Sequence, residues 1–166
     1  VVFVDEAYAE FSGTTFIPSL DRCQNVIVGR TFSKAFGLAG LRIGAVTGHP
    51  DVLEPLRFAV PVYSVNIAAV AAVEVALADR DYVARYLEQV EESKRRIYAA
   101  CRRHGLTFWE SQANFVLIRA GRALEAVLQR AAERGIYLRD RSTEPDRKST
   151  RLNSSHVSES RMPSSA

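Results

Sequence analysis

Lys34 lies in the run Thr31-Phe32-Ser33-Lys34-Ala35-Phe36-Gly37-Leu38-Ala39-Gly40-Leu41-Arg42-Ile43-Gly44, a glycine-rich turn that follows an apolar stretch. An amine there has a fixed backbone and a side chain facing a cleft, the setting in which lysine attacks an aldehyde carbon. Thr31 and Ser33 bracket it with hydroxyls, and Gly37, Gly40 and Gly44 let backbone amides come close to an anion. Arg42 can offer a planar fork to phosphate oxygens. Upstream, Asp5 follows the apolar run 1–4, at the strand end where open α/β sheets hold their ligands. A carboxylate in that place keeps a ring nitrogen protonated, and Tyr8 can share a hydrogen bond with a ring phenolate. Together these groups suit a phosphorylated aldehyde held as a Schiff base. Taken singly, each also has a plain structural reading: Lys34 as a surface charge, Asp5 as a helix cap, Tyr8 as an aromatic at the core edge, Arg42 as the partner of a surface acid. The spacing matches neither G-x-G-x-x-G nor G-x-x-x-x-G-K-[ST], so nucleotide binding gains no support.

The elements that must carry these residues follow from the hydrophobic pattern. Residues 1–4, 25–29 and 41–47 are short apolar runs of the kind seen in strands buried on both faces. Pro50 and Asp51 open a helix over 50–58 that Pro61 closes, and 65–77 is apolar nearly all round and predicts a buried helix. Over 81–104, Val83, Leu87, Val90, Ile97 and Cys101 share one helical face, while Glu88, Glu91, Glu92, Lys94, Arg95 and Arg96 fall largely off it, and Gly105 ends the helix. Strands at 107–109 and 114–118, a helix over 122–134 and a strand at 136–139 complete a second, smaller α/β unit. The fold class is α/β.

A chain of 166 residues accommodates one domain or parts of two, and no apolar run nears the roughly 20 residues of a membrane span. Of the net charge of +3, +2 sits in residues 146–166, which leaves the remainder close to neutral and gives no support to nucleic-acid binding. Cys23 and Cys101 have neither disulfide-framework nor zinc-site spacing, so a reducing cytoplasm is expected and no metal. His49, His104 and His156 lack catalytic spacing and read as surface or turn residues. The chain opens inside an apolar run, as expected of an internal fragment of a longer protein. After Pro145 it turns Ser-rich without periodicity, which predicts a disordered tail; its make-up resembles translated sequencing adapter.

With Asp5-Glu6-Ala7-Tyr8, the Lys34 block, Gln112-Ala113-Asn114-Phe115 and Leu138-Arg139-Asp140-Arg141-Ser142 in this order, the chain resembles the fold-type I pyridoxal-phosphate enzymes, and within them the histidinol-phosphate aminotransferases. The resemblance covers residues 1 to about 145. It implies pyridoxal 5'-phosphate as cofactor, with Lys34 as the Schiff-base lysine and acid/base, Asp5 on the pyridine nitrogen, and Tyr8 on the ring oxygen. Thr31, Ser33 and Arg42 would cradle the phosphate, and Arg139 and Asn114 would meet the substrate. It further implies a large-domain remnant over 1–64, a connecting helix over 65–80, a small domain over 81–145 and a non-native tail over 146–166. The parent would be a cytoplasmic homodimer of histidine biosynthesis that transaminates histidinol phosphate against 2-oxoglutarate or glutamate, both small-molecule substrates, with the fragment itself inactive. An aromatic aminotransferase, a threonine-phosphate decarboxylase and a non-catalytic fragment are the alternatives.

Overall fold

Val26, Ile27 and Val28 are the most deeply buried run of the amino-terminal half, with Val28 1% exposed, because their strand has a neighbour on each edge. In the computed structural model this strand, β2 (Val26–Thr31), lies between β1 (Val2–Asp5) and β3 (Gly44–Gly48) in a three-stranded sheet. β1 pairs with β2 in parallel, Asp5 opposite Gly29. β3 pairs with β2 antiparallel, Thr31 opposite Gly44. The carboxyl ends of β1 and β2 and the amino end of β3 therefore share one edge of the sheet.

The structure describes residues 1–61, 63–142 and 150–153, in two compact units, Val1–Leu87 and Glu88–Ala166. The first also holds a single-turn helix α1 (Ala9–Ser12), a 3₁₀ segment Ile17–Arg22, and helices α2 (Pro50–Ala59) and α3 (Ile67–Ala78). His49 caps α2, its Nδ1 accepting from the Asp51 N–H at 3.4 Å, and Asn66 caps α3 by accepting from the Ala69 N–H at 2.7 Å. The division between units falls within helix α4 (Arg80–Arg103).

The second unit packs α4 on a sheet of order β4-β5-β7-β6, with β4 (Phe108–Trp109), β5 (Phe115–Ile118), β6 (Arg139–Asp140) and β7 (Thr150–Asn153), and with helix α5 (Leu124–Ala132) between β5 and β6 in the chain. All its pairings are antiparallel. Tyr98, Cys101, Val116 and Ile118 form its core, joined by Ile97 and by Phe108, whose ring stacks on Tyr98 at 4.9 Å.

Several expectations are corrected. Of the three expected buried runs only β2 is buried; β1 and β3 are edge strands and largely exposed, with Phe3 60% exposed. α3 buries Ala69 but leaves Ile67 82% exposed, so an all-apolar composition did not translate into a covered helix. Lys94, placed off the apolar face by its charge, is only 2% exposed, because it falls one turn from both Val90 and Tyr98 on the same stripe. The strand expected at 136–139 is reduced to Arg139–Asp140. Thr150–Asn153, in the stretch expected to lack structure, forms a strand between β5 and β6 that pairs backbone groups both would otherwise leave open. Residues 143–149 and 154–166, with the rest of the expected tail and His156, lie outside the described residues.

Close strand approach explains two glycines. A Cβ on Gly44 would sit 2.7 Å from the Arg30 carbonyl oxygen, and one on Gly29 would enter the ring of Phe3. Phe3 can swing away, whereas the Arg30 carbonyl belongs to the backbone and cannot. Gly44→Ala is therefore expected to cost about 1–3 kcal/mol, checked by urea denaturation, and to exceed the cost of Gly29→Ala.

Candidate active site

The turn after β2 is tied by three backbone hydrogen bonds. The Phe32 N–H donates to the Ile43 carbonyl at 3.3 Å, the Leu38 N–H to the Phe32 carbonyl at 2.9 Å, and the Gly37 N–H to the Lys34 carbonyl at 3.1 Å. Gly37 takes φ +71°, which closes the turn, while Ala35 is fully buried and the Phe32 and Phe36 rings lie 5.2 Å apart. Lys34 thus leaves a fixed backbone, half-buried, with Nζ 5.7 Å from the centroid of the Tyr8 ring, within cation–π reach.

Thr31 and Ser33 are linked through the Ser33 N–H, which donates to Thr31 Oγ1 at 3.2 Å and so orients the Thr31 hydroxyl. Arg42 follows a short 3₁₀ turn (Ala39–Leu41) and has φ 54°, ψ 46°, the left-handed conformation that non-glycine residues rarely adopt. Its Nη1 donates to the Ala39 carbonyl at 3.0 Å, using one of five N–H donors. Asp5, at the end of β1, accepts from the Ala7 N–H at 2.9 Å in a local turn that delivers Tyr8 to the start of α1. Asp5, Tyr8, Thr31, Ser33, Lys34 and Arg42 accordingly belong to the edge defined by the ends of β1 and β2 and the start of β3.

Sequence reasoning missed Glu6 and Arg30. Glu6 is 7% exposed and accepts from the Phe16 N–H, from Thr15 Oγ1 at 2.9 Å and from Arg30 Nε at 3.0 Å, while Arg30 Nη2 approaches the same carboxylate oxygen at 3.0 Å. Arg30 Nη2 also donates to Thr15 Oγ1 at 2.9 Å, and its Nη1 lies 3.7 Å from Glu10. Burial pushes the Glu6 pKa up, but the Phe16 amide, the Thr15 hydroxyl and the Arg30 guanidinium more than offset it and hold the carboxyl below its ordinary value. The available signal was strand alternation, which sends Glu6 and Arg30 to the face opposite their neighbours Asp5 and Thr31.

The other two expected site residues belong to the second unit. Asn114 is 1% exposed and precedes β5; Arg139 is exposed at the start of β6. The loop before Asn114 is tied to α4: the Ser111 N–H donates to the Tyr98 hydroxyl at 2.9 Å, and the buried Lys94 Nζ donates to the Ser111 carbonyl at 2.8 Å and pairs with Glu91. Among the described residues there is no cluster of metal-ligating side chains.

The family model for aminotransferase class I and II matches residues 1–164. The chain is 43% identical over 141 residues to a histidinol-phosphate aminotransferase from Symbiobacterium thermophilum, covering 84% of this chain and 39% of that protein. It is 38% identical over 143 residues to the protein of the same name from Streptomyces avermitilis, covering 84% and 38%. A solved histidinol-phosphate aminotransferase from Sinorhizobium meliloti, in complex with pyridoxal-5'-phosphate, superposes with a TM-score of 0.82 at 32% identity, covering 92% of this chain and 44% of that one. The chain thus spans about two fifths of the length of the curated relatives it matches.

Because the Glu6 carboxyl is held below its ordinary value in the folded chain, its contribution to stability is complete above about pH 4.3 and is lost as pH falls through the lowered folded value. Glu6→Gln is expected to lower stability by about 1.5–3 kcal/mol at pH 7 and to flatten the acid limb of the stability curve, read from urea midpoints measured between pH 7 and pH 3.

Proposed function

The chain belongs to the class I and II aminotransferase family, and on that premise we propose that the full-length protein transaminates histidinol phosphate, using pyridoxal 5'-phosphate and 2-oxoglutarate. Its fold is that of the fold-type I pyridoxal-phosphate enzymes. The observation that carries the reading is the collection, on one edge of the first sheet, of an amine, a phenol, a carboxylate, two hydroxyls and a guanidinium, with Lys34 Nζ 5.7 Å from the Tyr8 ring.

This donor set fits a phosphorylated pyridine aldehyde. Lys34 would bind the aldehyde, Asp5 the ring nitrogen, Tyr8 the ring oxygen, and Thr31, Ser33 and Arg42 the phosphate. When bound, the cofactor supplies an electron sink for the bonds at the substrate's amino-bearing carbon. Lys34 then holds and moves the proton at Nζ, and its fixed turn keeps that atom on one path. Asp5 would keep the ring nitrogen charged by placing an opposite charge beside it. Arg139 and Asn114 are assigned to the substrate. The curated relatives' name supports the choice of histidinol phosphate, and with it a place in histidine biosynthesis; a cytoplasmic homodimer belongs to the same reading.

In the full-length protein, borohydride treatment after mixing with pyridoxal phosphate is expected to leave a pyridoxyl label on Lys34, detected by peptide mass spectrometry. Lys34→Ala should lose the label and at least about 10² to 10⁴ in turnover. Histidinol phosphate should outcompete phenylalanine and threonine phosphate as donor; release of carbon dioxide from threonine phosphate would instead identify a decarboxylase. Substantial residual transamination in Lys34→Ala overturns the assignment.

Arg42→Gly separates binding from folding. Glycine relieves the left-handed backbone, a conformation costing roughly 1–2 kcal/mol, so stability should hold or rise while the cofactor dissociation constant increases more than about tenfold. Equilibrium dialysis and urea denaturation of the same variant give the two numbers.

A further inference from the structure

We infer that Glu6 and Arg30 are a positioning pair that sets Asp5 and Tyr8 against Lys34, an inference that rests on the cofactor reading above. The segment joining β1 to the 3₁₀ turn carries Asp5 and Tyr8; Ala9 is buried and the Phe11 ring packs against Tyr8 and Tyr86, and Glu6 adds the polar contacts that tie the segment to β2. Its helix α1 has four residues, too short to be stable through its own hydrogen bonds, and Asp5 is engaged in a local turn with Ala7. The closing contacts come from Glu6. Its backbone N–H donates to the Gly29 carbonyl at 2.8 Å, extending the β1–β2 ladder by one step. Its carboxylate then grips both ends of the excursion: Oε1 takes the Phe16 N–H, Oε2 takes Nε and Nη2 of Arg30, and Thr15 Oγ1 lies within 3.1 Å of both oxygens.

Arg30 is the residue before Thr31 and lies four positions ahead of Lys34. Loss of the Glu6 carboxylate contacts is therefore expected to loosen the Asp5–Tyr8 segment relative to the strand that delivers the amine. Alternation along β1 and β2 keeps the pair on the face away from Asp5 and Thr31, so it acts through the backbone and touches neither cofactor nor substrate. The charged groups facing Glu6 are Arg30 and, behind it, Glu10 at 3.7 Å from Arg30 Nη1. Hydrogen bonds to both carboxylate oxygens give this pair an orientation that an apolar contact of equal volume would lack.

The test uses the full-length protein with pyridoxal phosphate as probe and compares the parent with Glu6→Gln, Arg30→Lys, and the double variant Glu6→Met with Arg30→Met. Removing both charges together avoids leaving one buried and unpaired, so the double variant is expected to fold, with its urea midpoint lowered by the Phe16 N–H that it leaves without an acceptor. It should still take the borohydride-fixed label on Lys34. Its cofactor dissociation constant should rise about tenfold, and the pH midpoint of the bound cofactor's visible absorbance should move up by about one unit, because a displaced Asp5 leaves the ring less protonated and the Lys34 nitrogen more basic. Arg30→Lys, which keeps the charge and loses the fork, should fall between parent and double variant. A double variant with the parent's dissociation constant and midpoint overturns the inference and reduces the pair to a fold contact. Should the double variant not fold, Glu6→Gln carries the same comparison, since it keeps the shape and one acceptor oxygen. Absence of label on Lys34 in the unmodified protein would refute the cofactor reading itself, an outcome distinct from failure of the pair.

Discussion

Parallel pairing of β1 with β2, with Asp5 opposite Gly29, is the constraint from which the candidate site follows. Parallel strands bring their carboxyl ends to the same side, so the residues that leave β1 and those that leave β2 meet without any further element between them. A slip of one residue would turn Asp5 to the opposite face and carry Glu6 into its place. The register is secured by burial of Val26, Ile27 and Val28 and by the extra rung from the Glu6 N–H to the Gly29 carbonyl.

β3 completes the edge by a different device. It returns antiparallel so closely that only glycine fits at position 44, against the Arg30 carbonyl, and the chain enters that strand through Arg42 in a left-handed conformation. Backbone strain at a charged residue persists only where the surroundings over-determine it, and here the 3₁₀ turn before it and the strand after it leave no other path. The result is a guanidinium held at the mouth of a glycine-rich turn in which the Thr31 hydroxyl is oriented by the Ser33 N–H.

In the second unit a lysine plays a structural part that its charge conceals. Lys94 reaches the Ser111 carbonyl along the apolar stripe of α4, and Tyr98 one turn later takes the Ser111 N–H. The two contacts fix the loop that leads to the buried Asn114 and to β5. Long aliphatic stems let lysine occupy such a stripe when a carbonyl and a carboxylate, here those of Ser111 and Glu91, wait at its end.

Local chemistry made much of this chain legible without coordinates. The glycine-rich turn around Lys34, the apolar run 25–29 that becomes β2, the opening of α2 at Pro50 and Asp51, and the amphipathic stripe of α4 are all encoded within a few residues, where turn preference and hydrophobic period act directly. Burial was legible only where the number of neighbours was already implied, which is why apolar β1 and α3 read as covered and are not. The sequence by itself determined which groups could do chemistry at Lys34, Asp5 and Arg42 and in what order they come. Tertiary structure alone decided that Glu6 reaches across twenty-four positions to Arg30, that Arg42 bends left-handed and that Thr150–Asn153 inserts between β5 and β6. Those outcomes depend on pairing between segments distant in sequence, and pairing energy carries no signature in the local order of residues.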